Sequence, residues 1–138
     1  MALKVELKPG ERLLVGNSVI TNSDQRTRLF IEGDAPVLRE KDILTSETAN
    51  SPAKRVYLAV QLMYIHNDMA RFKDEYFELV RDIVLAAPST IGLVDQINSE
   101  ILEGALYKAL KTAKRLIGYE DELLSVVPQA PQALRRQS

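Results

Sequence analysis

The sequence predicts an α+β fold: a small N-terminal antiparallel β-sheet of four or five short strands, followed by a C-terminal bundle of about four helices. Three observations carry this prediction. Apolar residues alternate with polar ones before residue 45 and recur at helical spacing after it. Turn dipeptides (Pro9-Gly10, Gly16-Asn17, Gly33-Asp34) crowd the first part. All strand-like segments precede all helix-like ones, which is not the order of an alternating α/β chain. Three units follow: a β-rich subdomain over 1–44, a helical subdomain over 45–125, and a tail over 126–138.

The first strand is read in "LKVELKPGE", where Leu3, Val5 and Leu7 share one face and Lys4, Glu6 and Lys8 the other. "RLLVGNSVIT" holds two short apolar runs around Gly16-Asn17, a hairpin dipeptide. "NSDQ" is a loop, and "RTRLFIEGD" the next strand. Its alternation puts Arg26, Arg28 and Phe30 on one side and Thr27, Leu29 and Ile31 on the other. "PVLREKDIL" reads either as a last short strand or as the start of a helix. So small a sheet needs a partner surface, either the helices or a second copy of itself.

Ser51-Pro52 is a helix start, serine as N-cap and proline at the first helical position. "AKRVYLAVQLMYIH" is apolar almost all round, so it is predicted to be the central, buried helix. "MARFKDEYFELVRDIVLAA" is amphipathic, with Phe72, Tyr76, Leu79 and Ile83 inward and Asp74, Glu78, Arg81 and Asp82 outward. Pro88 stops it and Ser89 is the expected cap of the next helix, which turns Ile91, Val94, Ile97 and Ile101 inward. Gly104 marks a break. The last helix, "ALYKALKTAKRLIGYEDELL", is expected to bury Leu106, Leu110, Ala113, Leu116 or Ile117, and Leu124. The tail, "PQAPQALRRQS", has little to bury and is expected to be disordered.

The chain has 138 residues, 46% of them hydrophobic and 27% charged, enough for a packed core. Without cysteine there is no disulfide framework and no thiolate metal site or nucleophile. The N-terminus has no apolar run of signal-peptide length, and no stretch nears the ~20 apolar residues of a membrane span. A soluble cytoplasmic protein is expected. A formal charge of −1 excludes a protein that coats nucleic acid nonspecifically, because such binding rests on phosphate neutralisation.

Signals for chemistry are sparse. His66, the one histidine, falls where the central helix should end, a place that suits it to terminal carbonyls and the negative end of the dipole. The glycines form no phosphate-cradling motif, and no carboxylates have EF-hand spacing. "EDE" at 120–122 reads as a solvated face. No enzyme and no cofactor are expected. Three basic constellations stand out. Arg26, Arg28 and Phe30 form one, with Lys4, Lys8 and Arg39 as candidates to join it. Lys54-Arg55 opens the central helix against the dipole, and Lys108, Lys111, Lys114 and Arg115 run along the last helix. Each also reads as a solvated, ion-paired surface, though a basic and aromatic strand face is the kind that holds single-stranded RNA.

Three long stretches, "LKPGERLLVGNSVITNSDQRTRLFIEGDAPVLREKDILT", "SPAKRVYLAVQLMY" and "YKALKTAKRLIGYEDELL", resemble the FlbT family of flagellin-expression regulators. That resemblance implies a non-catalytic post-transcriptional repressor of flagellum biogenesis. Such a protein would associate with the 5′ untranslated leader of flagellin mRNA and promote its degradation. A local likeness, "PGERLLVG" with "APVLREKDI", is similar to the carbon-storage regulator CsrA, a dimer of interleaved strands. It implies RNA contacts near Val5, Leu7, Lys8 and Arg39, but this chain has Leu7-Lys8 where CsrA has paired arginines. The alternative is a protein-interaction module that binds flagellin or a flagellar co-regulator and reaches mRNA indirectly. The apolar helical half suits such a partner, or self-association into a homo-oligomer.

Overall fold

The computed structural model describes residues 2–126. The expected disordered tail falls, apart from Val126, outside them. Five strands precede four helices among the described residues: β1 (Ala2–Leu7), β2 (Arg12–Val15), β3 (Ser18–Thr21), β4 (Thr27–Glu32), β5 (Val37–Arg39), α1 (Pro52–His66), α2 (Met69–Ala86), α3 (Ile91–Leu102) and α4 (Leu106–Val126). The ambiguous "PVLREKDIL" is strand β5 followed by a single 3-10 turn, Glu40–Asp42.

The strands form two sheets rather than one. β1 and β4 pair as an antiparallel ribbon, and β2 lies between β3 and β5 in a second antiparallel sheet. The β2–β3 hairpin is therefore inserted between the two strands of the ribbon. Val5, Leu7 and Leu13 are buried, and Val15, Leu29, Ile31 and Val37 pack around them as a small core shared by the two sheets. Alternation gives β2 and β5 a second apolar face, Leu14 and Leu38, which joins the helical core. The turns are sequence-encoded. Gly10 (φ 76°) follows Pro9 in a Lys8–Glu11 turn, closed by the Glu11 amide donating to the Lys8 carbonyl at 3.0 Å. Asn22 ties that turn to the β3–β4 loop, its Nδ2 donating to the carbonyls of Lys8 and Gln25, both at 2.8 Å.

The Glu11 carboxylate is held below its ordinary value of 4.5, first by the Lys8 amide that donates to it at 2.9 Å and then by Arg39. A depressed carboxylate contributes stability that is complete above its unfolded-state pKa and is lost as pH falls through the folded value. Urea unfolding of the wild type should therefore weaken on acidification below that ordinary value of 4.5. Glu11→Gln should flatten this part of the pH profile, and equal slopes would remove Glu11 as a contributor.

α1 is central as expected, packing on α2 and α4, with α3 against α4. Its start is set by Ser51, whose Oγ accepts from the Lys54 amide, and by Pro52. It ends at His66, where Asn67 takes a left-handed conformation (φ 50°). Asp68 then caps α2. α1 and α4 run antiparallel: Ser51 and Ala53 meet Glu120 at one end, and Tyr64 meets Tyr107 at the other.

Four expectations are corrected. Glu120 is not a solvated member of "EDE": its carboxylate accepts from Ser51 Oγ at 2.6 Å and from the Ala53 amide at 3.0 Å. It is an anion at the positive end of α1, offsetting Lys54 and Arg55 there. Leu124 is exposed, because α4 continues past the starts of both α1 and α3 from residue 121 on. Ile91 is 47% exposed, since it only begins α3 after the 3-10 turn Pro88–Thr90. Thr90, not Ser89, is the residue at the N-cap, and Ser89 Oγ instead accepts from the Tyr119 hydroxyl at 2.7 Å.

One stripe of α1 joins the helices to the strands. Tyr57, Gln61 and Tyr64 lie at spacings of four and three, hence on one face. Tyr57 donates to the Asp42 carbonyl at 2.5 Å. Gln61 accepts from the Leu44 amide and donates to the Leu44 carbonyl, both at 2.9 Å. The Tyr64 hydroxyl accepts from the Val37 amide at 3.0 Å and donates to its carbonyl at 3.2 Å. Three side chains thus complete the backbone hydrogen bonding of a short edge strand and of the segment that leaves it.

Candidate nucleic-acid interface

The ribbon register decides what the basic strand face presents. Glu6 lies opposite Arg28 and Lys4 opposite Phe30, while Val5–Leu29 and Leu3–Ile31 alternate toward the other side. Arg26, Arg28, Phe30 and Lys4 therefore share the outer face, as the alternation predicts, and all four are exposed. Phe30 is 67% exposed, too much for a core residue. Glu6 sits among the guanidinium groups, 3.4 Å from Arg28 and 3.9 Å from Arg26. Such exposed pairs are worth about 0–1 kcal/mol, so both arginines keep their capacity to exchange Glu6 for a phosphate. The field of this face is nevertheless weak, because Glu6 and Glu32 stand beside Lys4, Arg26 and Arg28.

Arg39 and Lys8 occupy different surroundings. Arg39 Nη2 donates to the Glu6 carbonyl at 2.9 Å and pairs with Glu11 at 3.3 Å. It fastens β5 to β1 and to the first turn. Its Nε is buried with no hydrogen-bond partner among the described residues. Lys8 is exposed at the turn. Val5 and Leu7, the other positions implied by the CsrA likeness, are buried at 5% and 1%.

The α4 constellation stays together. Lys108, Lys111, Lys114 and Arg115 are all exposed. Lys114 Nζ lies 2.6 Å from Asp42 Oδ1, and Lys111 Nζ lies 5.4 Å from the centre of the Tyr107 ring. Tyr107 joins this constellation although it carries no charge; its signal in the sequence is spacing, an aromatic with lysines four and seven residues on. His66 is exposed and stacks on Phe72, ring centres 5.5 Å apart. No group of three or more His, Asp or Glu among the described residues could hold a metal ion, and no helix there is long and apolar enough to cross a membrane.

A family model described as "Flagellar protein FlbT" matches residues 3–124. A "Probable flagellum biosynthesis repressor protein FlbT 1" of Bradyrhizobium diazoefficiens is 64% identical, over 89% of this chain and 85% of its own length. A Rhodopseudomonas palustris "Probable flagellum biosynthesis repressor protein FlbT" is 54% identical, over 91% and 99%. The "Flagellum biosynthesis repressor protein FlbT" of Caulobacter vibrioides is 35% identical, over 92% of both chains. No solved structure matches.

Proposed function

The chain belongs to the FlbT family of flagellar proteins, and from that membership we propose that it is a cytoplasmic, non-catalytic repressor of flagellum biogenesis acting after transcription. It associates with the 5′ leader of flagellin mRNA and promotes its decay, leaving cleavage to a cellular nuclease. The observation that carries the reading is the identity with relatives named as flagellum biosynthesis repressors along almost the whole chain. The exposed basic and aromatic surfaces support RNA as the target, since rings stack on bases and cations hold phosphates. On the ribbon these are Lys4, Arg26, Arg28 and Phe30.

The test is the flagellin-mRNA half-life after transcription is blocked. Deleting the gene should lengthen it, the wild-type gene should restore it, and Arg26→Glu/Arg28→Glu should restore it only in part. An unchanged half-life on deletion would end the decay reading.

A second reading, capture of flagellin or a co-regulator, is favoured by one feature. Phe77 and Leu102, 47% and 76% exposed, flank a hollow between α2 and α3 floored by Met63 and Tyr76. On that reading Phe77→Asp removes function and the arginines are dispensable.

A further inference from the structure

We propose that Tyr107 is a stacking platform for one base of a single-stranded RNA, with the cations of α4 holding the adjoining phosphates. This rests on the RNA reading above and assigns a base-contacting site to α4 in addition to the ribbon surface.

Two hollows meet at Tyr107. The larger, about 500 Å³, is bordered by Asp34, Pro36, Tyr64, Gly104 and Lys108. The smaller, about 100 Å³, is bordered by Asp42, Tyr57, Lys111 and Lys114. Tyr107 is half-exposed at 50%, yet its ring is not free to wander. Tyr64 packs against it, ring centres 5.6 Å apart at 44°, and Tyr64 is itself fastened to β5 by both backbone groups of Val37. A partly exposed ring held by a fixed neighbour is a preorganised surface for a planar base.

The charge around it differs from that of the ribbon. Residues 104–119 contain Lys108, Lys111, Lys114 and Arg115 and no acidic residue. Lys108 and Arg115 are seven residues apart, about 10 Å along the axis, so the cations span more than one nucleotide. Three carboxylates border the site, among them Glu100, which accepts from Thr112 Oγ1 at 2.7 Å one turn from Lys108. Asp42 is taken up by Lys114. Asp34 lies at the larger hollow, where it repels phosphate and can accept from an amino edge of a base. The base belongs on the Asp34 side of Tyr107 and the backbone on the Lys111 side. A phosphate at Lys114 must displace Asp42, but Lys108, Lys111 and Arg115 make no ion pair among the described residues, whereas on the ribbon Glu6 lies within 4 Å of both arginines.

The test uses the full chain and a fluorescein-labelled flagellin-mRNA leader, with thermal melting to confirm that each variant is folded. Tyr107→Ala should weaken binding about ten-fold or more, the range of losing one base stack, and Tyr107→Phe should stay within about two-fold. Lys111→Glu, at an exposed position, should weaken it comparably and reduce the salt slope. Ultraviolet cross-linking should map to the peptide containing Tyr107. If the wild type binds the leader and Tyr107→Ala and Lys111→Glu bind it equally well, with cross-links elsewhere, the α4 site is overturned and the RNA reading survives. If the wild type binds no RNA, both fall.

Discussion

Glu120→Ala is expected to destabilise the protein by about 2–3 kcal/mol, a large effect for a surface carboxylate. Two donors lose their acceptor at once: Ser51 Oγ at 2.6 Å and the Ala53 amide at 3.0 Å. Hydrogen bonds to a charged group contribute about 1.5–3 kcal/mol each, and an anion at a helix N-terminus adds about 0.3–1 kcal/mol. These terms are coupled, so the expectation lies well under their sum. Glu120→Gln keeps an acceptor without the charge and should cost about half as much. Asp121→Ala, next along the chain and exposed, should stay within about 0.5 kcal/mol. Urea unfolding of the three variants checks the ranking. Equal behaviour at 120 and 121 would mean that the acidic run is the solvated face its composition suggests.

Gln61→Leu should cost about 2–4 kcal/mol although it makes α1 more apolar. Gln61 is buried and satisfies both backbone groups of Leu44. A leucine of similar bulk leaves the amide and carbonyl of the part-buried Leu44 unpaired, each costing up to about 1–3 kcal/mol. The penalty falls at the junction between strands and helices, so it should also raise proteolysis between β5 and α1 under native conditions. Tyr64→Phe removes the hydroxyl that serves Val37 and should show the same cleavage at a smaller cost, about 1–2 kcal/mol. A stabilised Gln61→Leu with unchanged cleavage would show that the junction depends on apolar packing alone.

These two positions mark what one-dimensional pattern reading reaches. Alternation identified the outer face of β4, and Ser51-Pro52 the start of α1, because both signals are local and both follow from backbone geometry. Alternation says which way a side chain points but not which strand it pairs with. The five strands therefore read as one sheet, whereas the β2–β3 hairpin leaves the β1–β4 ribbon and builds a second. Nothing local marks Gln61 and Tyr64 within an apolar helix, since the backbone groups they satisfy lie 17 and 27 residues away. The role of Glu120 is hidden for the same reason: the dipole it serves belongs to α1, not to the helix that carries it. At the candidate site the cations were legible. What fixes Tyr107 and separates Arg39 from Arg26 and Arg28 is tertiary, and no spacing rule contains it.

The most direct measurement is fluorescence anisotropy of the purified protein with the flagellin-mRNA leader, against a scrambled RNA and across a salt series, with Arg26→Glu/Arg28→Glu alongside. Selective binding is expected, with log K falling linearly with log salt at about 0.7 per phosphate contact. The double variant should bind about ten-fold more weakly with a shallower slope, since two cations become anions. Equal binding of leader and scrambled RNA, or none at any salt, would contradict direct recognition of the message and leave capture of a flagellar protein as the function.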